Sequence, residues 1–177
     1  MKTINELIVK QALKYVGERE LKGNSGFENE VFWMKMEAVG FDPGEAWCAL
    51  FTELIWREAY GQYNSLHDHE LEKLFSDSAV QTFNNFRKTT GWRTSKEPDA
   101  GDIVIWQMYK DGEAHWSGHA GIVTKVLNKD FDTVEGNTNA SGGREGVEVA
   151  IKRRIIDFDK NQDTHGLVLK GFIKPKI

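Results

Sequence analysis

The chain has 177 residues, 40% of them apolar, with six Trp and ten Phe, which is enough for one domain with a sizeable core and too apolar for a disordered chain. A net charge of −4 gives no clustered basic surface of the kind nucleic acid requires, and no run approaches the roughly 18 apolar residues of a membrane span. The only cysteine is Cys48, so no intramolecular disulfide can form.

The N-terminal residues Met1-Lys2-Thr3-Ile4-Asn5-Glu6 contain neither an apolar signal core nor a small-residue cleavage site. The expectation is a chain made in the cytoplasm, with any passage to the periplasm or wall by a non-classical route. Thr3 with Glu6 three residues on is a capping-box pattern, and Ile4, Leu7, Ile8, Ala12, Tyr15 and Val16 then share one face up to a stop at Gly17. After a Gly/Asn/Ser loop at 23–26, a second helix is expected over Asn29 to Val39, ending at Gly40, and Phe41-Asp42-Pro43-Gly44 reads as a turn.

The third helix is expected from about Trp47 to Tyr60, with Gly61 behind it. Trp47, Leu50, Phe51, Leu54 and Ile55 face the core, and Cys48 lies in the first turn. Residues 61–76 are polar and yield no assignment. A fourth helix starts at Ser76 or Asp77 and points Val80, Phe83 and Phe86 inward. After Gly91 the period changes, and Asp102–Met108, Gly118–Leu127, Phe131–Thr138, Gly146–Arg154 and Leu167–Lys174 read as strands. Helices first and strands later predict an α+β fold, N-terminal helices packed on a C-terminal antiparallel sheet of about five strands. With no repeat, low-complexity tract or linker, residues 1–177 read as a single domain.

Three places have the residue types that amide hydrolysis needs: a thiolate, a base to carry a proton, and a group to orient the base. A lone cysteine by itself reads as a small buried apolar residue. At a helix start, however, the partial positive charge favours thiolate, which makes Cys48 a nucleophile candidate. His119, in Gly118-His119-Ala120-Gly121, opens a strand between glycines that let another segment approach its ring; the plain alternative is a strand histidine bonded to a carbonyl. Glu135 and Asn137 are two apart and so share a strand face, where either could hold the imidazole; the plain alternative is a strand ending in a Gly-Asn turn. A tight turn centred on Lys129 would put His119 opposite Asn139, with Asn137 as its diagonal neighbour. A bulge or longer loop would bring Glu135 closer. The residues leave open which of the two touches the ring.

Other features read as structural. His67-Asp68-His69-Glu70 reads as a solvated loop rather than a metal site, and Asp42 with Glu45 falls short of the six to eight oxygens calcium takes. Lys152-Arg153-Arg154 reads as a solvated strand end. Trp106, Tyr109 and Trp116 flank His119 as core or groove-wall aromatics; among Gly, Ser and His, Trp116 is the one expected to be exposed, where it suits stacking on a sugar. Asn139-Ala140-Ser141 matches a glycosylation acceptor, a pattern common by chance.

In order along the chain, Trp47-Cys48-Ala49-Leu50-Phe51, Ala100-Gly101-Asp102-Ile103-Val104, Gly118-His119-Ala120-Gly121-Ile122-Val123 and Glu135-Gly136-Asn137-Thr138 resemble the CHAP domain, the cysteine- and histidine-dependent amidohydrolase/peptidase family of the papain-like and NlpC/P60-like group. The resemblance covers roughly residues 45–140. It implies a papain-like fold with Cys48 as nucleophile, His119 as general base, Glu135 as orienting group and Asn137 as a fourth site residue, with no metal or cofactor. It implies a peptidoglycan fragment or stem peptide as substrate, cut between muramic acid and the stem or within the peptide. For an antibacterial effector, it also implies an immunity protein as partner. Two other readings stand beside this one. A non-wall cytoplasmic amidase suits the acidic charge, and a non-enzymatic binding module would leave Cys48 merely packed.

Overall fold

The computed structural model describes residues 2–23, 25–63, 67–138, 146–159 and 165–176. The Asn139-Ala140-Ser141 pattern lies outside them.

Helix α1 spans Ile4–Lys14, opened by the capping box: the Thr3 hydroxyl accepts from the Glu6 amide and the Glu6 carboxylate accepts from the Thr3 amide. Helix α2 spans Glu30–Ala38, capped by Asn29, whose side chain accepts from the Val31 and Phe32 amides. Gly17 and Gly40, at φ 95° and 93°, take the left-handed conformation that ends a helix. Helix α3 spans Cys48–Tyr63, α4 Asp68–Leu74 and α5 Ala79–Lys88, the last capped by the Ser78 hydroxyl.

The strands are β1 (Arg93–Ser95), β2 (Ile103–Lys110), β3 (Glu113–Val126), β4 (Asp130–Thr138), β5 (Glu148–Ile155) and β6 (Gly166–Lys174). They form one antiparallel sheet in the order β1-β6-β2-β3-β4-β5. The main core lies between helices and sheet, where Ile8, Phe32, Phe51 and Ile55 meet Ile103, Ile105, Ile122 and Val134. A second cluster of Val104, Trp106, Val123, Phe131, Leu169 and Phe172 covers the alternate positions of the strands, as the two-residue period requires. No described helix is long and apolar enough to cross a membrane.

Trp47 and Gly136 seat α3 on the sheet. The Trp47 indole is buried, packs edge-on against Phe27, and donates from Nε1 to Glu20 Oε2 at 2.8 Å. A Cβ placed on Gly136 would fall 2.5 Å from Trp47 Cζ3 and 2.8 Å from Phe51 Cβ, so the absent side chain is what lets helix and β4 approach.

Four expectations need correction. Helix α3 does not stop before Gly61 but continues through it, since one glycine costs only about 1 kcal/mol in a helix held by tertiary packing. The stretch with no assignment contains α4, so His67-Asp68-His69-Glu70 is a helix start rather than a loop; Glu70 accepts from Trp92 Nε1 at 2.8 Å and ties it down. The sheet has six strands rather than five, because three-residue β1 is too short for a periodic signal. Val16, read as part of the apolar face of α1, lies beyond the helix end and is exposed.

Candidate active site

The turn Phe41–Gly44 delivers the chain to α3, whose first intrahelical bond runs from the Phe51 amide to the Trp47 carbonyl at 2.9 Å. The amides of Cys48, Ala49 and Leu50 therefore have no intrahelical acceptor. Cys48 sits where these donors converge, and its residue surface is 6% exposed. Burial alone would push its thiol up. The His119 imidazolium, a hydrogen bond to that ring, and the amides of Ala120 and Ala49 outweigh burial and bring it below the ordinary thiol value.

His119 lies on β3 opposite Trp106 of β2, and the two rings stack at 5.7 Å with planes 28° apart. Its Nε2 is 2.8 Å from Glu135 Oε2, which leaves Nδ1 as the nitrogen for the sulfur. Burial works against the imidazolium, but the Cys48 thiolate and the Glu135 carboxylate together raise the group well above its ordinary value. Both shifts favour a thiolate beside an imidazolium, with the imidazole side chain 13% exposed.

Glu135 is fully buried on β4. Its Oε1 accepts from the Thr133 hydroxyl at 2.6 Å and from Arg154 Nε at 2.8 Å, and its Oε2 accepts from Arg154 Nη2 at 2.5 Å. Burial would raise its carboxyl, but Arg154 and His119 hold it well below the ordinary carboxylate range. The Arg154 guanidinium also lies 5.2 Å from the Trp106 ring centroid, so one indole packs against both the base and the cation that fixes the carboxylate.

Strand register settles the geometry that the sequence left open. Ile122 pairs with Val134, and a bulge between Val123 and Lys125 shifts the register before Val126 meets Phe131. The shift sets Glu135 beside Gly121, within reach of the imidazole, as the bulge alternative anticipates. Asn137, whose register position faces His119, takes a left-handed φ of 52° and makes no hydrogen bond to the ring among the described residues. The structure therefore brings Cys48, His119 and Glu135 together, with Asn137 adjacent but outside the chain of bonds.

Arg154 and Thr133 are missed by reading the sequence alone. Arg154 is not a solvated strand end; its side chain is two-pronged on a buried carboxylate, while its exposed neighbour Arg153 pairs with half-buried Asp132 at 2.8 Å. The available signal is that a buried Glu needs a cation, and Arg154 is the arginine on β5 at the same parity as Ala150, the partner of Glu135. Asp102, in the Ala100–Val104 motif, is structural. It is fully buried, accepts from Lys174 Nζ at 2.6 Å and from the Asp99 amide at 2.6 Å, and its own carbonyl accepts from the Val123 amide.

A depression of about 410 Å³ is lined by Glu45 and Ala46 of the turn into Cys48, by Asp77 and Ser78 at the start of α5, and by Trp116. Three residues of β3 bulge between the Gln107–Gly118 and Tyr109–Ala114 pairs, and this loop holds Trp116 out at 73% exposure. Trp116 is thus the groove-wall aromatic expected to be exposed, whereas Trp106 is buried behind the base. Among the described residues, no group of three His, Cys, Asp or Glu is arranged to hold a metal ion.

The family model of the CHAP domain matches residues 40–137, over half the chain and all four candidate positions. No curated protein and no solved structure matches the chain.

Proposed function

The chain belongs to the CHAP domain family, the cysteine- and histidine-dependent amidohydrolase/peptidase class, and on that premise we propose that it hydrolyses an amide bond of bacterial peptidoglycan through Cys48, His119 and Glu135. The observation carrying this reading is the hydrogen-bonded series from sulfur to imidazole to buried carboxylate, with charges that keep the sulfur ionised. A packed structural cysteine would instead be held as a neutral thiol.

The Cys48 thiolate adds to the amide carbonyl, and the electron pair moves to oxygen. The Cys48 amide, without an intrahelical acceptor at the start of α3, is one donor for that oxyanion. The His119 imidazolium gives its proton to the nitrogen as the C–N bond breaks, and the amine leaves. Neutral His119 then takes a proton from water, whose oxygen attacks the thioester, and the carboxylic acid departs as the thiolate reforms. Glu135 holds the ring and stabilises its cation, without accepting the proton itself.

Incubation with purified sacculi tests this. Soluble fragments should be released by the wild type and not by Cys48→Ala, and mass spectrometry of the new amine names the bond: a stem-terminal amine for the amidase, an internal one for the endopeptidase. Intact sacculi alongside hydrolysis of other small amides would overturn the wall substrate in favour of a non-wall amidase.

A further inference from the structure

A second cavity, of about 420 Å³, opens where α5 crosses the strands β1, β6 and β2, and it shares no lining residue with Cys48, His119 or Glu135. Three cations line it: Arg87 from α5, Lys96 just after β1, and Lys170 from β6. No carboxylate does so among the described residues, in a chain whose net charge is −4. None of the three cations makes an ion pair among the described residues. Lys170 Nζ is 2.6 Å from Gln107 Oε1 and 5.6 Å from the Phe83 ring centroid, and Lys96 Nζ is 3.8 Å from that of Phe158.

We propose that this cavity binds a phosphate ester with a compact apolar body. Half-buried Lys170, with exposed Arg87 and Lys96 around it, makes the cavity a favourable place for an anion. Thr94, Ser95 and Tyr109, each with a hydroxyl, are also among the lining residues. That count of donors suits a group with three acceptor oxygens and up to two negative charges better than a two-oxygen carboxylate. The rings of Phe83 and Phe158 with Val168 and Leu169 supply an apolar floor, and the volume lies in the range of small-molecule sites. Arg87 alone would be accounted for by its position in the last turn of α5, where a cation complements the helix dipole. Lys170 has no such account. Desolvation first, then Arg87 and Lys96, push its ammonium below the ordinary value, a strain that a bound anion would relieve.

Calorimetric titration with phenyl phosphate at low ionic strength tests the site, with benzoate and phenol as probes that keep the ring and change the anionic group. Phenyl phosphate should bind saturably, with a Kd on the order of 1 mM or tighter. Lys170→Gln and Arg87→Gln should each weaken it roughly tenfold, with thermal melts and the iodoacetamide reactivity of Cys48 unchanged. No saturable binding, an unchanged Kd in both variants, or equal binding of phenol would overturn the anion site. Equal binding of benzoate would overturn its assignment to phosphate.

Discussion

Gly121 on β3 makes room for Glu135 on β4: a Cβ placed at residue 121 would lie 2.7 Å from Glu135 Cγ. The carboxylate reaches His119 across the space that glycine leaves open. The φ of Gly121 lies outside the left-handed region, so the backbone tolerates alanine and the conflict is one of side chains alone. Gly121→Ala should displace the carboxylate from the imidazole. Overpacking of this kind costs about 1–3 kcal/mol of stability, read in a urea melt. Activity should fall roughly tenfold or more, as a general-base contribution of 10²–10⁴ is partly lost. Unchanged turnover would show that Glu135 does not need this position.

The charges on Cys48 and His119 set a pH window. The thiol is lowered and the imidazole raised, so the reactive ion pair exists between the two values and is lost on either side. Iodoacetamide should alkylate the wild type rapidly at pH 6. His119→Ala should react slowly there, its reactivity rising only as pH reaches or passes the usual thiol range near 8.5, since burial is then opposed only by the backbone amides. Hydrolysis should fall by roughly 10³-fold or more in Cys48→Ala and in His119→Ala, with circular dichroism unchanged. Because the folded His119 sits above its ordinary 6.5 and the thiolate is one cause, the stabilisation from the imidazolium is present between the lowered thiol value and 6.5 and disappears as pH rises through the raised value.

Reading Cys48 from the sequence works because its signal is local: a turn, a helix start and a nucleophile follow one another within a few residues. The same holds for the capping box at Thr3 and the glycine stop at Gly40. His119 and Glu135 are legible as residues, but their contact is not, since it depends on one bulge between Val123 and Lys125 that shifts the register. Arg154 is illegible for a related reason. It follows two other positions in a basic run, and only the strand pairing separates the one turned onto a buried carboxylate from the neighbour turned onto half-buried Asp132. Helix α4 hides because its short polar sequence draws stability from Glu70 and Leu71 meeting Trp92 and the core rather than from periodicity.

Arg154 acts through Glu135 and is a positioning residue. Arg154→Met keeps much of the packing against Trp106 but leaves a buried carboxylate with one cation fewer, a change that costs about 3–5 kcal/mol where a buried pair is broken. The sign with pH follows from the lowered carboxyl of Glu135. Its stabilisation is present above the ordinary 4.5 and is lost as pH falls through the folded value. The stability gap between wild type and Arg154→Met should therefore be widest near neutral pH and close below pH 4.5, as followed by urea melts. Arg154→Lys should recover part of the gap and part of the activity, since one ammonium replaces one of two bonds.

Asp102 is held in the opposite sense. Burial pushes its carboxyl up to about 6, although Lys174 and the Asp99 amide pull it down. A carboxyl raised on folding lowers stability as pH rises from 3.8 towards 6, because the folded state keeps the proton longer than the unfolded chain does. Asp102→Asn removes that slope. Compared with wild type, the variant should lose less stability between pH 4 and pH 7, while Asp102→Ala, which leaves Lys174 with the Glu97 carbonyl and exposed Asp99, should be destabilised at both. Equal slopes in wild type and Asp102→Asn would mean the carboxyl titrates normally.

Trp116 supports no core: it is 73% exposed on a bulged strand, beside the turn that leads into Cys48. Trp116→Ala should therefore leave the thermal midpoint almost unchanged, as surface substitutions stay within about 0.5 kcal/mol. If the ring stacks on the substrate before and during reaction alike, its removal takes away uniform binding. KM should then rise about 3- to 10-fold with kcat unchanged, the equivalent of an aromatic contact of roughly 0.5–1.5 kcal/mol. Trp116→Phe should recover most of the loss, because stacking needs an aromatic face and not the indole N–H. The alkylation rate of Cys48 should stay at the wild-type value in both variants, since Trp116 touches neither the thiolate nor its partners. A fall in kcat at unchanged KM would instead place the ring in the chemistry, and a fall in alkylation rate would place it in the support of the dyad.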